Sequence, residues 1–215
     1  MTVHEDAPPI RSVGFRLVAL VASVLVVGFG IALMVSAELG VAPADVLSTG
    51  GAERLEIGVG TMGWISGAVF TVLAWVLGRP PQWGTIGGTV LVGFAVNVSL
   101  SLVPEPQALA WRVPMLIVGL ALIYLSISVG VSTMLGTGPI ELLMLALSDR
   151  GVSVQVSRWG IEALVFAGGV ALGGQIGVGT LVFVLATGPV LARTMPPFVK
   201  FMGTTVLDRP TGLDA

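Results

Sequence analysis

Two short elements carry the residue types that chemistry would need. Leu39-Gly40-Val41-Ala42-Pro43-Ala44-Asp45 returns later in the chain as Leu135-Gly136-Thr137-Gly138-Pro139-Ile140-Glu141. Each element joins a turn-forming glycine (Gly40, Gly136) to a proline (Pro43, Pro139), with an acid two residues further on. Proline suits the first position of a helix, where a missing N–H costs nothing. Asp45 and Glu141 then fall at the third position, beside free backbone N–H groups and the positive end of the helix dipole. Two readings follow. Each carboxylate caps its own helix, as acids in first turns do. Alternatively, both face one cavity between two halves of the chain, where they bind a cation, a proton or an amine, or where the helix starts cradle an anionic group.

Three further polar residues stand inside apolar runs. Glu162 is a candidate accessory acid, because an ionisable residue within a membrane helix is a functional candidate by default. Arg158 lies four residues earlier, the spacing of a local ion pair on one helix face. Asn97, with Ser99 and Ser101, forms a polar patch that lines a path or bonds to a neighbouring helix.

Other chemistries lack their residues. Cysteine is absent, and the only histidine is His4 in a polar N-terminal stretch. Thiolate chemistry, a Ser-His triad and a His/Cys metal cluster are therefore not expected. Gly58-Val59-Gly60-Thr61-Met62-Gly63 has the spacing of a dinucleotide-binding loop, but follows no strand and opens an apolar run. No cofactor is expected. No basic stripe marks a nucleic-acid partner.

The elements that must position these residues are membrane helices. Charged residues are 10% of the chain and hydrophobic ones 54%. Soluble domains carry about 25% charged residues. Apolar runs occupy about 13–37, 60–78, 84–103, 113–134, 156–173 and 178–194, each of a length that crosses ~30 Å of hydrocarbon. Polar breaks at Arg79-Pro80-Pro81-Gln82, Pro104-Glu105-Pro106-Gln107 and Gly173-Gly174-Gln175 separate them. Residues 1–12 read as a cytoplasmic tail and 195–215 as a polar C-terminal tail, with 104–112 joining a first membrane repeat (13–103) to a second (113–194). The segments 43–55 and 139–150 are too short to span and read as re-entrant helices. The expected fold is all-α, with six spans and two re-entrant helices. An eight-span alternative has both short segments crossing. Arginine and lysine placement supports an N-terminus inside in either case.

The two Leu-Gly elements belong to a longer internal echo, in which Arg54 matches Arg150, Phe70 matches Phe166 and Gly84-Thr85 matches Gly179-Thr180. The arginine-led first helix, Pro43-Ala44-Asp45-Val46-Leu47, Gly138-Pro139, Arg158 with Ile161-Glu162, and Gly177-Val178-Gly179-Thr180 together resemble the bacterial YczE/YyaS/YitT group of membrane proteins. The resemblance covers about residues 11–198. Ala44 stands where that group commonly has an aromatic residue, and Asn97 where it commonly has an acid. The resemblance implies a multi-pass protein of the cytoplasmic membrane and no defined activity.

Duplication within an apolar chain is the usual plan of a transporter. The leading expectation is a small permease with a site near Asp45 and Glu141, not an enzyme, with a small molecule or ion as substrate and the bilayer as surroundings. The alternative is a non-transporting scaffold or regulator, as a homodimer or bound to another membrane protein.

Overall fold

In lipid, backbone polar groups have no water to bond, so an apolar chain that enters the bilayer folds into helices. The structure is a computed structural model that describes residues 10–204. His4 and most of both polar tails lie outside the described residues. Eight helices and no strand occur among the described residues. They are α1 (Val13–Ala37), α2 (Pro43–Leu55), α3 (Val59–Val76), α4 (Trp83–Leu102), α5 (Leu109–Ser132), α6 (Pro139–Ser148), α7 (Val154–Ala171) and α8 (Val178–Met202). Five of them, α1, α3, α4, α5 and α8, are long and apolar enough to cross a membrane. The 18-residue α7 is as long as α3 but is diluted by Gln155, Arg158 and Glu162.

Local chemistry sets the helix ends. Ser12 and Ser153 accept the Phe15 and Val156 N–H groups at the starts of α1 and α7. Proline opens both α2 and α6. After α1 and α5 the chain turns through left-handed residues, Glu38 and Met134, before the two Leu-Gly elements.

The last helix differs from the hydropathy reading. It continues through Pro196 and Pro197 to Met202, so the polar C-terminal tail expected from residue 195 starts later. Proline removes helix hydrogen bonds. Residues 195–202 lie beyond the apolar run, and a helix end that meets water can have its freed carbonyls satisfied there. Gly203, at φ 68°, ends it.

The antiparallel pair α1 and α5 forms the centre. Arg16 at the start of α1 donates from Nε to the Thr133 carbonyl, just beyond α5, at 2.7 Å. At the opposite end Arg112 pairs with Glu38. Met34, Val41, Val46, Leu120, Ile123 and Tyr124 form the core around this pair. On the outside, α4 packs on α1 and α8 on α5. The short helices bridge the halves: α2 packs on α3 and α7, and α6 on α7 and α3. α3 also packs along α4, whereas α7 and α8 do not pack along each other. Arg11 donates its N–H to the Met202 carbonyl, and Thr204 its hydroxyl to that of Ser132, so the start of α1 and the ends of α5 and α8 share one face.

Candidate functional site

The segments that follow α1 and α5 each run into the first turn of a helix from the other half. The Gly179 N–H donates to the Leu39 carbonyl at 2.7 Å, tying α8 to the first Leu-Gly element. A Cβ on Gly177 would strike the same carbonyl. In the other half, Gly84 of α4 lies so close to the Leu135 carbonyl that a Cβ there would collide with it. Thr85 and Thr180, one residue beyond Gly84 and Gly179, are both buried, and neither hydroxyl has a hydrogen-bond partner among the described residues.

A cavity of about 400 Å³ opens beside the second of these seams. Its walls come from α1, α3, α4, the first two turns of α2, the end of α5 and residues 136–141. Both Asp45 and Glu141 stand in that wall, as do Pro139 and Gly136. Gly40 and Pro43 are outside it; Gly40, at φ 103°, makes the turn against Gly177. The Glu141 carboxylate lies over Gly138, the residue before its helix, and makes no hydrogen bond there. None of the three ion pairs among the described residues involves Asp45 or Glu141. Lysine, arginine and histidine are absent from the described cavity wall.

The remaining polar groups of the wall are hydroxyls. Ser23, Ser66, Thr89 and Ser126 each donate to a carbonyl one turn earlier in their own helix. Such back-bonding satisfies the donor and leaves lone pairs free. Nothing in their spacing marks Ser23 or Ser126, because the crossing of α1 over α5 brings them together. Thr85 does carry a mark in its echo of Thr180.

Arg158, Glu162 and Asn97 lie outside the cavity wall. Arg158 Nε donates to Glu162 Oε1 at 2.9 Å in an exposed pair on α7. Asn97 Oδ1 accepts the Gly60 N–H at 2.9 Å, and its Nδ2 donates to Thr61 Oγ1 at 3.0 Å. A side chain of α4 thereby caps the start of α3. The glycine-rich stretch 58–63 serves that contact: Gly60 packs against the Gly93 backbone, and Trp64 donates its indole N–H to Val90.

Residues 14–196 match the model of DUF6198, a family of unknown function. The chain belongs to this family. It is 26% identical over 197 residues to the uncharacterized membrane protein YczE of Bacillus subtilis, covering 90% of this chain and 92% of that protein. It is also 27% identical over 179 residues to YyaS of the same organism, covering 80% and 89%. An uncharacterized protein of Haemophilus influenzae is 26% identical over 167 residues, covering 77% of each chain. No solved structure matches. The YczE/YyaS resemblance read from the motifs is thus a family relationship, and the chain is a multi-pass membrane protein.

Proposed function

We propose that this chain is a small non-enzymatic permease of the cytoplasmic membrane, built from two inverted repeats, α1–α4 and α5–α8. Six helices cross, the N-terminus is inside, and α2 and α6 are re-entrant from opposite faces. The observation that carries this reading is the shared cavity. Asp45 and Glu141 come from different halves, lie at corresponding positions, and stand in one wall without an ion-pair partner among the described residues.

The pairing of elements supports the repeats. Exchanging the halves converts the α1–α4 contact into α5–α8, α2–α3 into α6–α7, and α2–α7 into α6–α3. The two seams exchange in the same way, Leu39 with Gly177 and Leu135 with Gly84. Contacts of α6 support its re-entrance. Pro139 lies against Gly67, midway along α3, while Asp149 pairs with Arg79 just past the end of α3 at 3.0 Å. Ten residues make about 15 Å of helix, half of a ~30 Å hydrocarbon core.

Rocking of one repeat against the other would expose the cavity to each face in turn. The test uses the cysteine-free background. Ser66→Cys places a thiol in the cavity wall. In right-side-out and inside-out vesicles, an impermeant thiol reagent is expected to reach it from both faces. Labelling from a single face, or from neither, counts for a scaffold and against a permease.

A further inference from the structure

We propose that the cavity takes a small organic monocation, an ammonium group on a compact apolar body, with Asp45 and Glu141 holding its charge. The proposal rests on the permease reading of the same cavity and names its substrate class.

Charge decides the sign. Two carboxylates stand in the described wall and no basic side chain does. Each acid lies in the first turn of its helix, where the dipole contributes roughly half a positive charge. Two helix starts therefore offset part of that negative charge. The described wall supplies no cation for the rest, and a monovalent cation would fill that need. A carboxylate without a counter-charge at membrane depth is costly and takes up a cation or a proton.

An unmet hydrogen-bond demand points to a ligand with a polar head. Thr85 is 2% exposed, belongs to the cavity wall, and has a buried Oγ1 with no partner among the described residues. A buried unpaired hydroxyl is unfavourable, so a ligand whose polar group reaches it is favoured. An ammonium carries up to three N–H donors and no acceptor. A carboxylate or phosphate would set more acceptors against two acids.

Volume and lining choose an organic ion over a bare one. Small-molecule sites measure about 300–1,000 Å³, are mostly apolar and carry few polar groups. This cavity is within that range, and Leu20, Val24, Val27, Ile31, Phe70 and Val92 supply apolar surface. An inorganic cation would leave that surface unused.

The experiment measures thermal unfolding of the full chain in detergent against n-butylammonium, tetramethylammonium, sodium, 1-butanol and butyrate at constant ionic strength. A specific ligand raises Tm with its concentration. n-Butylammonium is expected to stabilise most, and tetramethylammonium, which has the charge but no N–H donor, less; the alcohol, the anion and sodium are not expected to stabilise. Asp45→Asn and Glu141→Gln are each expected to weaken the response at least about tenfold, while Glu162→Gln, outside the cavity, leaves it unchanged. Ligand-free Tm values check that each variant folds, and Gly88→Leu, which fills the cavity, supplies an independent loss of response. Equal stabilisation by alcohol or anion overturns the proposal, as does a response kept in Asp45→Asn or no response to either cation. A sodium effect equal to that of the organic ions overturns the organic assignment. Cation binding with one-sided Ser66→Cys labelling would remove the permease and keep the cation site. Two-sided labelling without cation preference would do the reverse.

Discussion

The Gly179 N–H donates to the Leu39 carbonyl, fastening the first turn of α8 to the segment that leaves α1. Backbone meets backbone there, and a side chain on the neighbouring Gly177 has no room. The corresponding approach of Gly84 to Leu135 is equally close. Overpacking of this kind costs about 1–3 kcal/mol. Gly177→Ala and Gly84→Ala should therefore each lower the unfolding temperature in detergent. Gly87→Ala, where a Cβ meets nothing within 4 Å, should leave it unchanged or raise it, since alanine is the better helix former.

Much of this arrangement is legible in the residues, and the reasons for the rest are physical. The run from Val13 to Ala37 has the length and hydropathy of a membrane helix, and Pro43 and Pro139 mark the starts of α2 and α6. The spacing of Arg158 and Glu162 predicts their pair. Hydropathy does not reveal α8 beyond Pro196, because proline in sequence signals an end that the membrane boundary tolerates. Nor does it show that Ser23 and Ser126 share a wall with Asp45. That depends on how α1 crosses α5, where Gly30 and Gly119 let the backbones approach closely.

Asn97 acts through structure. It supplies the acceptor for the Gly60 N–H at the start of α3. Removing that acceptor leaves an orphaned helix-start donor, at a cost of about 1–3 kcal/mol. Asn97→Leu should lower the unfolding temperature accordingly. Asn97→Asp keeps the acceptor, and the Thr61 hydroxyl can donate to it in turn, so its loss should be smaller. Equal unfolding temperatures for Asn97→Leu and the parent chain would refute the capping role.

Arg158 and Glu162 should matter to folding only through each other. Both side chains are about half exposed, at 54% and 45%. In water, exposed pairs at this helical spacing contribute about 0.3–0.5 kcal/mol; within a crossing helix an unpaired charge costs more. Glu162→Gln, which leaves Arg158 without its partner, should lower the unfolding temperature, and the exchange Arg158→Glu with Glu162→Arg should restore most of what is lost. A large loss in the single variant, unrestored by the exchange, would assign Glu162 a role beyond its partner.

Gly88 separates binding from folding. It stands in the cavity wall, and a Cβ built on it meets nothing within 4 Å. Gly88→Leu would therefore grow into empty space, removing ligand volume without displacing a neighbour. It would also remove a glycine from the interior of α4, which favours the helix by about 0.5–1 kcal/mol. The expected result is an unfolding temperature at or above that of the parent chain, together with loss of solute-induced stabilisation. A variant that unfolds early would mean that the space is occupied in the folded protein by something the wall residues alone do not account for.

Sidedness bears on every other inference, and the cysteine-free chain makes it measurable. Arg16 at the start of α1 bonds to Thr133, and the adjoining Leu135-Gly136 segment meets Gly84 at the start of α4. Gln82, exposed just before α4, therefore belongs to the face that holds the start of α1. Ser153, past the end of α6, belongs there too, because Asp149 pairs with Arg79. Gln107, beside Arg112 and its partner Glu38, belongs to the opposite face. Single cysteines at Gln82 and Ser153 should be protected from an impermeant reagent in whole cells and label after lysis, whereas one at Gln107 should label at once. If Gln82 labels in whole cells while the N-terminus is inside, both short helices cross. The repeats would then be parallel, and Asp45 and Glu141 would lose their place at a common depth.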